Sequence, residues 1–130
     1  MPAAATRTDT DYLLTAYTKE VTDVIHAIAV SSDGLLISHS ADLHRDQADR
    51  LAAVAAGLAS LTQGVAAFLR TGAVRQHIIE TDDAFVIVMS LGARGALVAV
   101  TGPDADMGHV GYSMGVLVER VGAVLDPDHR

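Results

Sequence analysis

The stretch VIHAIAVSSDGLLISHS, residues 24–40, holds two apolar runs on either side of a Ser-Ser-Asp-Gly break. Runs of Val, Ile and Leu separated by a four-residue connection that contains Asp-Gly are typical of a β-hairpin. The alternative is a reactive loop in which Asp33 and Gly34 hold a phosphate or a metal ion. Asp33 has no second acidic residue nearby, and the single lysine, Lys19, lies outside the stretch. The hairpin is therefore the favoured interpretation.

Hydrophobic periodicity predicts the elements on either side of this hairpin. Apolar residues at helical intervals indicate a first helix over residues 9–23 and a last helix that ends near Leu125. Three further strands are predicted at residues 74–81, 84–91 and 96–101. Their short connections favour antiparallel pairing. The sequence thus predicts an α+β fold in which helices flank a five-stranded antiparallel sheet, in the order α-β-β-α-β-β-β-α.

A long helix is predicted between the second and third strands, over residues 42–70. Large apolar residues there alternate spacings of three and four, at Leu51, Val54, Leu58, Leu61, Val65 and Phe68. Small residues occupy the flanks of the helix, at Ala52, Ala55, Ala56, Gly57, Ala59, Gly64 and Ala66. Such small side chains would let a second helix, from this or another subunit, come close. Alanine is also simply a good helix former, so both interpretations stay open.

The last predicted helix is interrupted by four glycines, at Gly108, Gly111, Gly115 and Gly122. Each costs about 1 kcal/mol of helix stability relative to alanine. We expect close packing of this helix against the sheet to compensate for that cost.

Length and composition bound the organisation of the chain. With 130 residues, 50% of them hydrophobic, the chain suits one domain built mainly on Val, Leu, Ile and Ala. The opening residues MPAAATRT show no periodicity. We therefore predict a flexible N-terminal arm at residues 1–8, a single domain at residues 9–127 and a short tail at residues 128–130.

Charge and residue usage exclude several classes of partner and site. A net charge of −7 leaves no basic stripe for a phosphate backbone, so neither nucleic acid nor an anionic membrane surface is an expected partner. The absence of cysteine excludes disulfides, thiolate zinc sites and cysteine nucleophiles. The sequence shows no signal-peptide pattern and no unbroken run of about 18 apolar residues. We therefore expect a cytoplasmic protein without direct membrane insertion.

One motif resembles a hydrolase site. GYSMG, residues 111–115, fits the G-x-S-x-G pattern, and Asp126 and His129 follow in the order of an α/β-hydrolase triad. A nucleophile elbow requires a sharp strand-to-helix turn, whereas Ser113 falls inside the predicted last helix. The two triad partners lie in the last five residues, where a chain terminus holds no fixed geometry. A small serine hydrolase using Ser113 is therefore the disfavoured alternative to a non-catalytic protein.

Metal and nucleotide sites are not indicated either. The six histidines are scattered over strands, loops and tail, at His26, His39, His44, His77, His109 and His129. None forms the i, i+4 helical pair with a glutamate that a zinc protease needs. The glycine-rich strings GARG and GHVGYSMG match neither the dinucleotide-binding pattern nor the phosphate-binding loop. No catalytic residue, metal ligand or cofactor is predicted.

Five strings of the chain match the pattern of one family. They are DYLLTAYTKEV, VIHAIAVSSDGLLISHS, DRLAAVAAGLASLTQG, VRQHIIET and MGHVGYSMGVLVERVGAVLDP, and they are distributed from residue 11 to residue 127. The chain resembles the Roadblock/dynein light chain family, and within it the single-domain actinobacterial proteins found beside a sensor-kinase-like protein and a small Ras-like GTPase. The family pattern has an acidic residue, as in Y-E-M, where this chain has Ser113.

The resemblance implies a Roadblock/profilin-like sandwich, with the long helix on one face of the sheet and the terminal helices on the other. It also implies a homodimer in which the strand at residues 74–81 pairs with its copy and the two long helices lie side by side. Such pairing would remove an unpaired strand edge, which is a liability for a monomer. The interface residues implied are Ala52, Ala55, Ala59, Thr62, Arg75, Gln76, His77, Ile78 and Ile79.

The resemblance further implies a regulatory or scaffolding protein that docks a small Ras-like GTPase in a signalling complex. Some members of the family modulate GTP hydrolysis by rearranging the GTPase's own catalytic residues. Association with a sensor-kinase-like membrane protein would recruit this cytoplasmic protein to the membrane through its partners. No arginine of the chain is singled out as an arginine finger.

Overall fold

The computed structural model describes the backbone of residues 3–125 and the side chains of residues 9–125. Its elements are α1 Ala3–Glu20, β1 Val24–Ser31, β2 Leu36–His39, α2 Arg45–Leu69, β3 Gln76–Glu80, β4 Phe85–Ser90, a 3-10 helix Gly92–Arg94, β5 Gly95–Thr101 and α3 Met107–Leu125. The predicted order of helices and strands is confirmed.

The five strands form a single antiparallel sheet in the order β2-β1-β5-β4-β3, which confirms the predicted fold class. Strand β5 lies at the centre, and its residue Val98 is paired with Ile28 of β1 on one side and with Val88 of β4 on the other. Strands β2 and β3 form the two edges. The strand predicted to be an edge or interface strand therefore does lie at an edge.

The hairpin β1–β2 turns at the residues that the sequence indicates. The Ser31 N–H donates to the Leu35 carbonyl at 2.9 Å, and the Gly34 N–H donates back to the Ser31 carbonyl at 3.0 Å. Gly34 has a φ of +84°, a conformation that favours glycine. A Cβ on Gly34 would lie 3.2 Å from the Cβ of Ala56 on α2. The Asp33-Gly34 pair thus forms the predicted turn and also lets α2 pass close to it.

Helices α1 and α3 cover one face of the sheet. Leu14 and Tyr17 of α1 are buried with Val110 and Met114 of α3 above strand residues that include Leu97. These helical positions recur every three or four residues, as expected for amphipathic helices. The Asp106 N–H at the start of α3 donates to the Asp23 carboxylate just after α1, at 3.0 Å. The two helices are therefore joined at one end as well as packed side by side.

Helix α2 alone covers the other face, and it does so through its alanines. Ala48, Ala52 and Ala55 are at most 1% exposed and pack with sheet residues such as Ile28 and Val98. Side chains this small let the helix backbone lie close to the sheet, so the branched residues of the strands supply most of the core volume. Ala52 and Ala55, part of the small-residue flank for which a second helix is one interpretation, thus pack against the chain's own sheet.

Helix α1 begins earlier than predicted. Residues 3–8, assigned from the sequence to an arm, belong to the helix that was predicted to begin at residue 9. Alanine is the strongest helix former, and AAA at the start of α1 favours a helix even without an apolar period. Residues 1–2 and 126–130, and with them the predicted tail, lie outside the described residues. The limits of the domain stay a prediction.

The glycines of α3 do not pack as expected. A Cβ placed on Gly111, Gly115 or Gly122 would meet no other side chain or strand atom within 4 Å. Close packing against the sheet therefore does not compensate for these three glycines within the described part of the chain. By contrast, a Cβ on Gly95, at the start of β5, would lie 1.9 Å from the carbonyl oxygen of Val30.

Two alanine substitutions are therefore expected to act in opposite directions. Gly95→Ala should lower the free energy of unfolding by about 3 kcal/mol or more, because the added methyl group overlaps the β1 backbone and Gly95 has a φ of +137°. Gly115→Ala should raise it by about 0.5–1 kcal/mol, because alanine favours the helix and the site has room. Urea unfolding midpoints of the two variants measure both effects. Equal midpoints would contradict the assignment of Gly95 as the tightly packed position.

Candidate interaction surface

Large apolar side chains form an exposed stripe along α2. Val54, Leu61, Val65 and Phe68 are 59%, 77%, 56% and 85% exposed, and we call these four residues the α2 seam. Their spacings of seven, four and three are those of the a and d positions of a heptad, the pattern of helices that pack side by side. A soluble protein rarely leaves a contiguous apolar stripe uncovered. The α2 seam is therefore the strongest candidate on the described surface for contact with another helix.

The apolar character of α2 is high even for a core helix. By length and composition alone α2 could cross a membrane, yet only 17% of its most apolar 18-residue window is buried in the protomer. The first turns of α2 carry charge on the surface, where Arg45 Nε donates to the Asp49 carboxylate at 3.2 Å. This helix lies along the sheet of the domain, so its apolar excess is exposed on the surface of the protomer.

The helical residues implied at the interface occupy different surroundings. Ala52 and Ala55 are buried against the sheet of the protomer, so they do not lie on the surface of α2 that a second copy of the helix could pack against. Ala59 is exposed, whereas Thr62 is half-buried at the side of α2 that faces β3. For Ala52 and Ala55 the assignment from the resemblance therefore needs correction. The neighbouring α2 seam offers the accessible apolar surface instead.

The strand residues implied at the interface line the open edge of the sheet. Arg75, Gln76 and Ile78 are exposed, while His77 and Ile79 are half-buried on the α2 side. The Ser90 N–H donates to the Arg75 carbonyl at 2.8 Å. Antiparallel pairs alternate, so the β4-directed hydrogen bonds belong to residues 75, 77, 79 and 81, and the N–H and C=O groups of Ile78 point away from β4. Among the described residues, β3 pairs with β4 alone.

A side-chain hydrogen bond joins these two surfaces. Thr62 Oγ1 on α2 lies 2.7 Å from His77 Nε2 on β3. The Thr62 hydroxyl donates its proton to the Leu58 carbonyl at 3.0 Å, so the His77 ring must donate through Nε2. His77 Nδ1 is buried and has no hydrogen-bond partner among the described residues. This bond fixes the C-terminal half of α2 relative to β3 and thereby holds the α2 seam and the open strand edge in one orientation.

Ser113 lies in the middle of α3 and is not at a strand-to-helix turn. Its hydroxyl donates to the Val110 carbonyl at 3.0 Å, and the Tyr17 hydroxyl contacts Ser113 Oγ at 2.7 Å. With the Ser113 proton directed to Val110, Tyr17 is the donor in that contact. Asp126 and His129, the other members of the supposed triad, lie outside the described residues. The geometry of Ser113 is that of a packing contact between α1 and α3.

Burial raises the pKa of the Tyr17 hydroxyl, and the hydrogen bond with Ser113 acts in the opposite direction. The folded protein thus holds this proton more tightly than the unfolded chain. The resulting contribution to stability is complete below the ordinary tyrosine pKa of about 10 and is lost as the pH rises through the folded pKa. We expect the melting temperature of the wild type to fall more steeply above about pH 10 than that of Tyr17→Phe.

Tyr112 supplies the control for this alkaline effect. It is 75% exposed on the same helix as Ser113, and Tyr112→Phe should keep the wild-type dependence of melting temperature on pH. Circular dichroism melts from neutral to alkaline pH measure all three proteins. Parallel curves for wild type and Tyr17→Phe would refute the assigned role of Tyr17.

The five histidines within the described residues do not come together around a metal site. His39 Nδ1 contacts the Ser40 carbonyl at 2.9 Å, while His44 is exposed at the N-cap position of α2, where its side chain makes no capping hydrogen bond. Within residues 9–125, no group of three or more His, Asp or Glu side chains is placed to hold a metal ion. His129 lies outside that range.

Comparison with known proteins agrees with this arrangement. The family model of the Roadblock/LC7 domain matches residues 10–101. The Roadblock/LC7 domain from Streptomyces avermitilis is 34% identical, with a TM-score of 0.82 over 88% of this chain and 96% of that one. Myxococcus xanthus MglB is 17% identical, with a TM-score of 0.85 over 95% and 92% of the two chains. Acanthamoeba castellanii profilin IA is 16% identical, with a TM-score of 0.54 over 87% and 96%.

No curated protein sequence matches the chain. MglB and profilin IA are too distant in sequence to show more than the fold, and they confirm the predicted Roadblock/profilin-like sandwich. The family model and the Streptomyces domain go further, because the first spans most of the chain and the second retains about a third of its residues. On this basis the chain belongs to the Roadblock/LC7 domain family.

Proposed function

We propose that the protein is a non-catalytic homodimer that docks a small Ras-like GTPase in a signalling complex. The main support for the dimer is that two surfaces without a partner in the protomer, the α2 seam and the open edge of β3, lie on the same side of the molecule. Each surface is self-complementary under a two-fold axis, since an apolar stripe can pack on its copy and an antiparallel strand can pair with its copy. The Thr62–His77 hydrogen bond supports the proposal, because it holds both surfaces in one orientation.

The dimer would present the two α2 helices as a single platform. With the seams packed together, the polar residues at the start of each α2, among them Asp46, Asp49 and Arg50, stay on the outer surface. Membership of the Roadblock/LC7 family supports a regulatory role for this platform in place of a chemical one. The pair Arg45–Asp49 is a surface ion pair, and no described arginine is nominated as a catalytic finger. Any effect on GTP hydrolysis would therefore act by positioning the GTPase's own residues.

The rest of the proposal concerns location. We place the dimer in the cytoplasm, with recruitment to the membrane through its partners. The resemblance to single-domain actinobacterial members supports a sensor-kinase-like membrane protein as the second partner. The net charge of −7 supports an indirect route to the membrane, because an acidic protein is repelled by anionic lipid.

Two measurements test the proposed function. Light scattering at micromolar concentration should give the mass of a dimer. Immobilised wild-type protein should retain a purified Ras-like GTPase from the same organism in one nucleotide state more strongly than in the other. A monomeric wild type would refute the assembly, and failure to retain any such GTPase in either nucleotide state would refute the docking role.

A further inference from the structure

A groove of about 460 Å³ lies beneath the C-terminal half of α2. The helix supplies Ala55, Ala59 and Ala66 as its roof, and the sheet supplies Val30, Val88 and Ala96 as part of its floor. Small helix residues leave this space because no long side chain extends from α2 to the strands below. The volume falls in the range of about 300–1,000 Å³ that is typical of ligand sites.

The groove opens on the flank of α2 that faces away from the α2 seam. Ala56, Ser60 and Gln63 line it from the helix, whereas Leu58 and Thr62 on the opposite flank do not. At about 100° per residue, the lining flank lies roughly 140° around the helix axis from the seam. The remaining walls are the β1–β2 turn at Ser31–Ser32, the β4–β5 connection at Gly92–Ala93, and residues before and at the start of β3 that include Arg75 and His77. All of these residues belong to one protomer, and the flank of α2 that lines the groove is not the one that carries the α2 seam.

The charge around the groove differs from that of the rest of the chain. Arg75 is the only charged residue that lines it in the described part of the protein. The sequence from Arg50 to Ile79 contains no Asp or Glu, although the chain has 16 acidic residues. A carboxylate of a ligand would therefore meet one cation without a competing acidic neighbour on α2 or at the start of β3. The groove thus combines an apolar interior with a single lining cation, Arg75.

We propose that this groove binds an extended segment of a partner protein in which an apolar side chain stands next to a carboxylate. The apolar side chain enters the space beneath Ala55 and Ala59, and the carboxylate pairs with Arg75. Serine hydroxyls at Ser32, Ser60 and Ser90 surround the groove and offer hydrogen bonds to the main chain of the segment. The site lies on a different flank of α2 from the α2 seam, and it shares Arg75 with the open edge of β3.

Peptide titration of the isotope-labelled full chain tests this proposal. The probes are acetyl-Ala-Leu-Asp-Ala-amide and its asparagine counterpart, followed through backbone amide shifts in NMR spectra. We expect saturable shifts at Ser32, Ser60 and Ala93 with the aspartate peptide, and at least about fivefold weaker binding of the asparagine peptide, which is about 1 kcal/mol. Arg75→Gln should lower the affinity for the aspartate peptide to that for the asparagine peptide. Arg50→Gln, which removes an exposed arginine outside the groove, should leave binding unchanged.

A second variant tests whether the peptides occupy the groove or only pair with the charge of Arg75. Ala59→Leu fills the space beneath the exposed side of α2, so the affinity for both peptides should fall at least about tenfold. The spectrum should otherwise remain that of a folded protein. The seam variant Leu61→Asp should bind the aspartate peptide as the wild type does, which distinguishes this site from the proposed dimer. No saturation at about 10 mM peptide would overturn the proposal. Shifts confined to the α2 seam, or groove shifts that depend on protein concentration without peptide, would overturn it in favour of a second copy as the occupant.

Discussion

Leu61→Asp is expected to convert the proposed dimer into folded monomers. Leu61 is 77% exposed in the protomer, so the aspartate should change the protomer's free energy of unfolding by no more than about 0.5 kcal/mol. In the dimer the same side chain would be covered by the partner's α2, and burial of a leucine contributes about 1.5–3 kcal/mol. A two-fold interface loses this contribution twice and must also cover two charges. The dissociation constant should therefore rise by at least about a hundredfold, since 1.4 kcal/mol corresponds to a factor of ten.

Ser60→Asp is the matched control for this change. Ser60 precedes Leu61 and is also exposed, but it lies about 100° around the helix on the groove side. It introduces the same charge in the same turn, and the dimer should persist. Sedimentation equilibrium over a range of protein concentrations measures both dissociation constants. An unchanged dimer in Leu61→Asp, or equal weakening by the two variants, would show that the α2 seam is not the contact.

The α2 seam shows where inference from the sequence stops. The three-and-four spacing of Leu61, Val65 and Phe68 correctly predicts a helix, but a period has no information on which side of the helix meets the sheet. Ala48, Ala52 and Ala55 repeat at the same helical interval and form the second apolar face. An alanine face can approach a flat sheet more closely than a face of large side chains. An alanine face beside a stripe of large residues therefore indicates, in the sequence itself, that the stripe faces outward.

Local features were more predictable than contacts between distant elements. The turn at Asp33-Gly34 and the edge position of β3 follow from short-range chemistry, and the structure confirms both. The Thr62–His77 hydrogen bond joins residues 15 positions apart on different elements. It depends on the angle at which α2 crosses the sheet, which no local pattern specifies. The groove beneath α2 could not be predicted from the sequence for the same reason, because it forms between elements that each have an ordinary sequence.

Ile78→Pro is expected to abolish pairing between the two β3 edges without unfolding the protomer. Bonds such as that from the Ser90 N–H to the Arg75 carbonyl place the β4-directed groups at odd-numbered positions of β3. The Ile78 N–H points to the open edge and makes no ladder bond within the protomer. Proline is tolerated on an edge strand where its missing N–H would face solvent. The protomer therefore keeps all its β3–β4 bonds in this variant, whereas the dimer loses a donor from each copy.

The alternating direction of the backbone hydrogen bonds along β3 also sets the size of the effect and supplies a control variant. A buried carbonyl left without its donor costs about 1–3 kcal/mol, and the two-fold axis doubles this, so the dissociation constant should rise at least about thirtyfold. Ile79→Pro, one residue along, removes a donor that points to β4 and should destabilise the protomer itself by about 3 kcal/mol. Light scattering and urea unfolding separate these outcomes, since the first variant changes mass and the second changes the unfolding midpoint. A wild-type dissociation constant in Ile78→Pro would show that β3 does not pair with its copy, because such pairing would lose a donor from each strand.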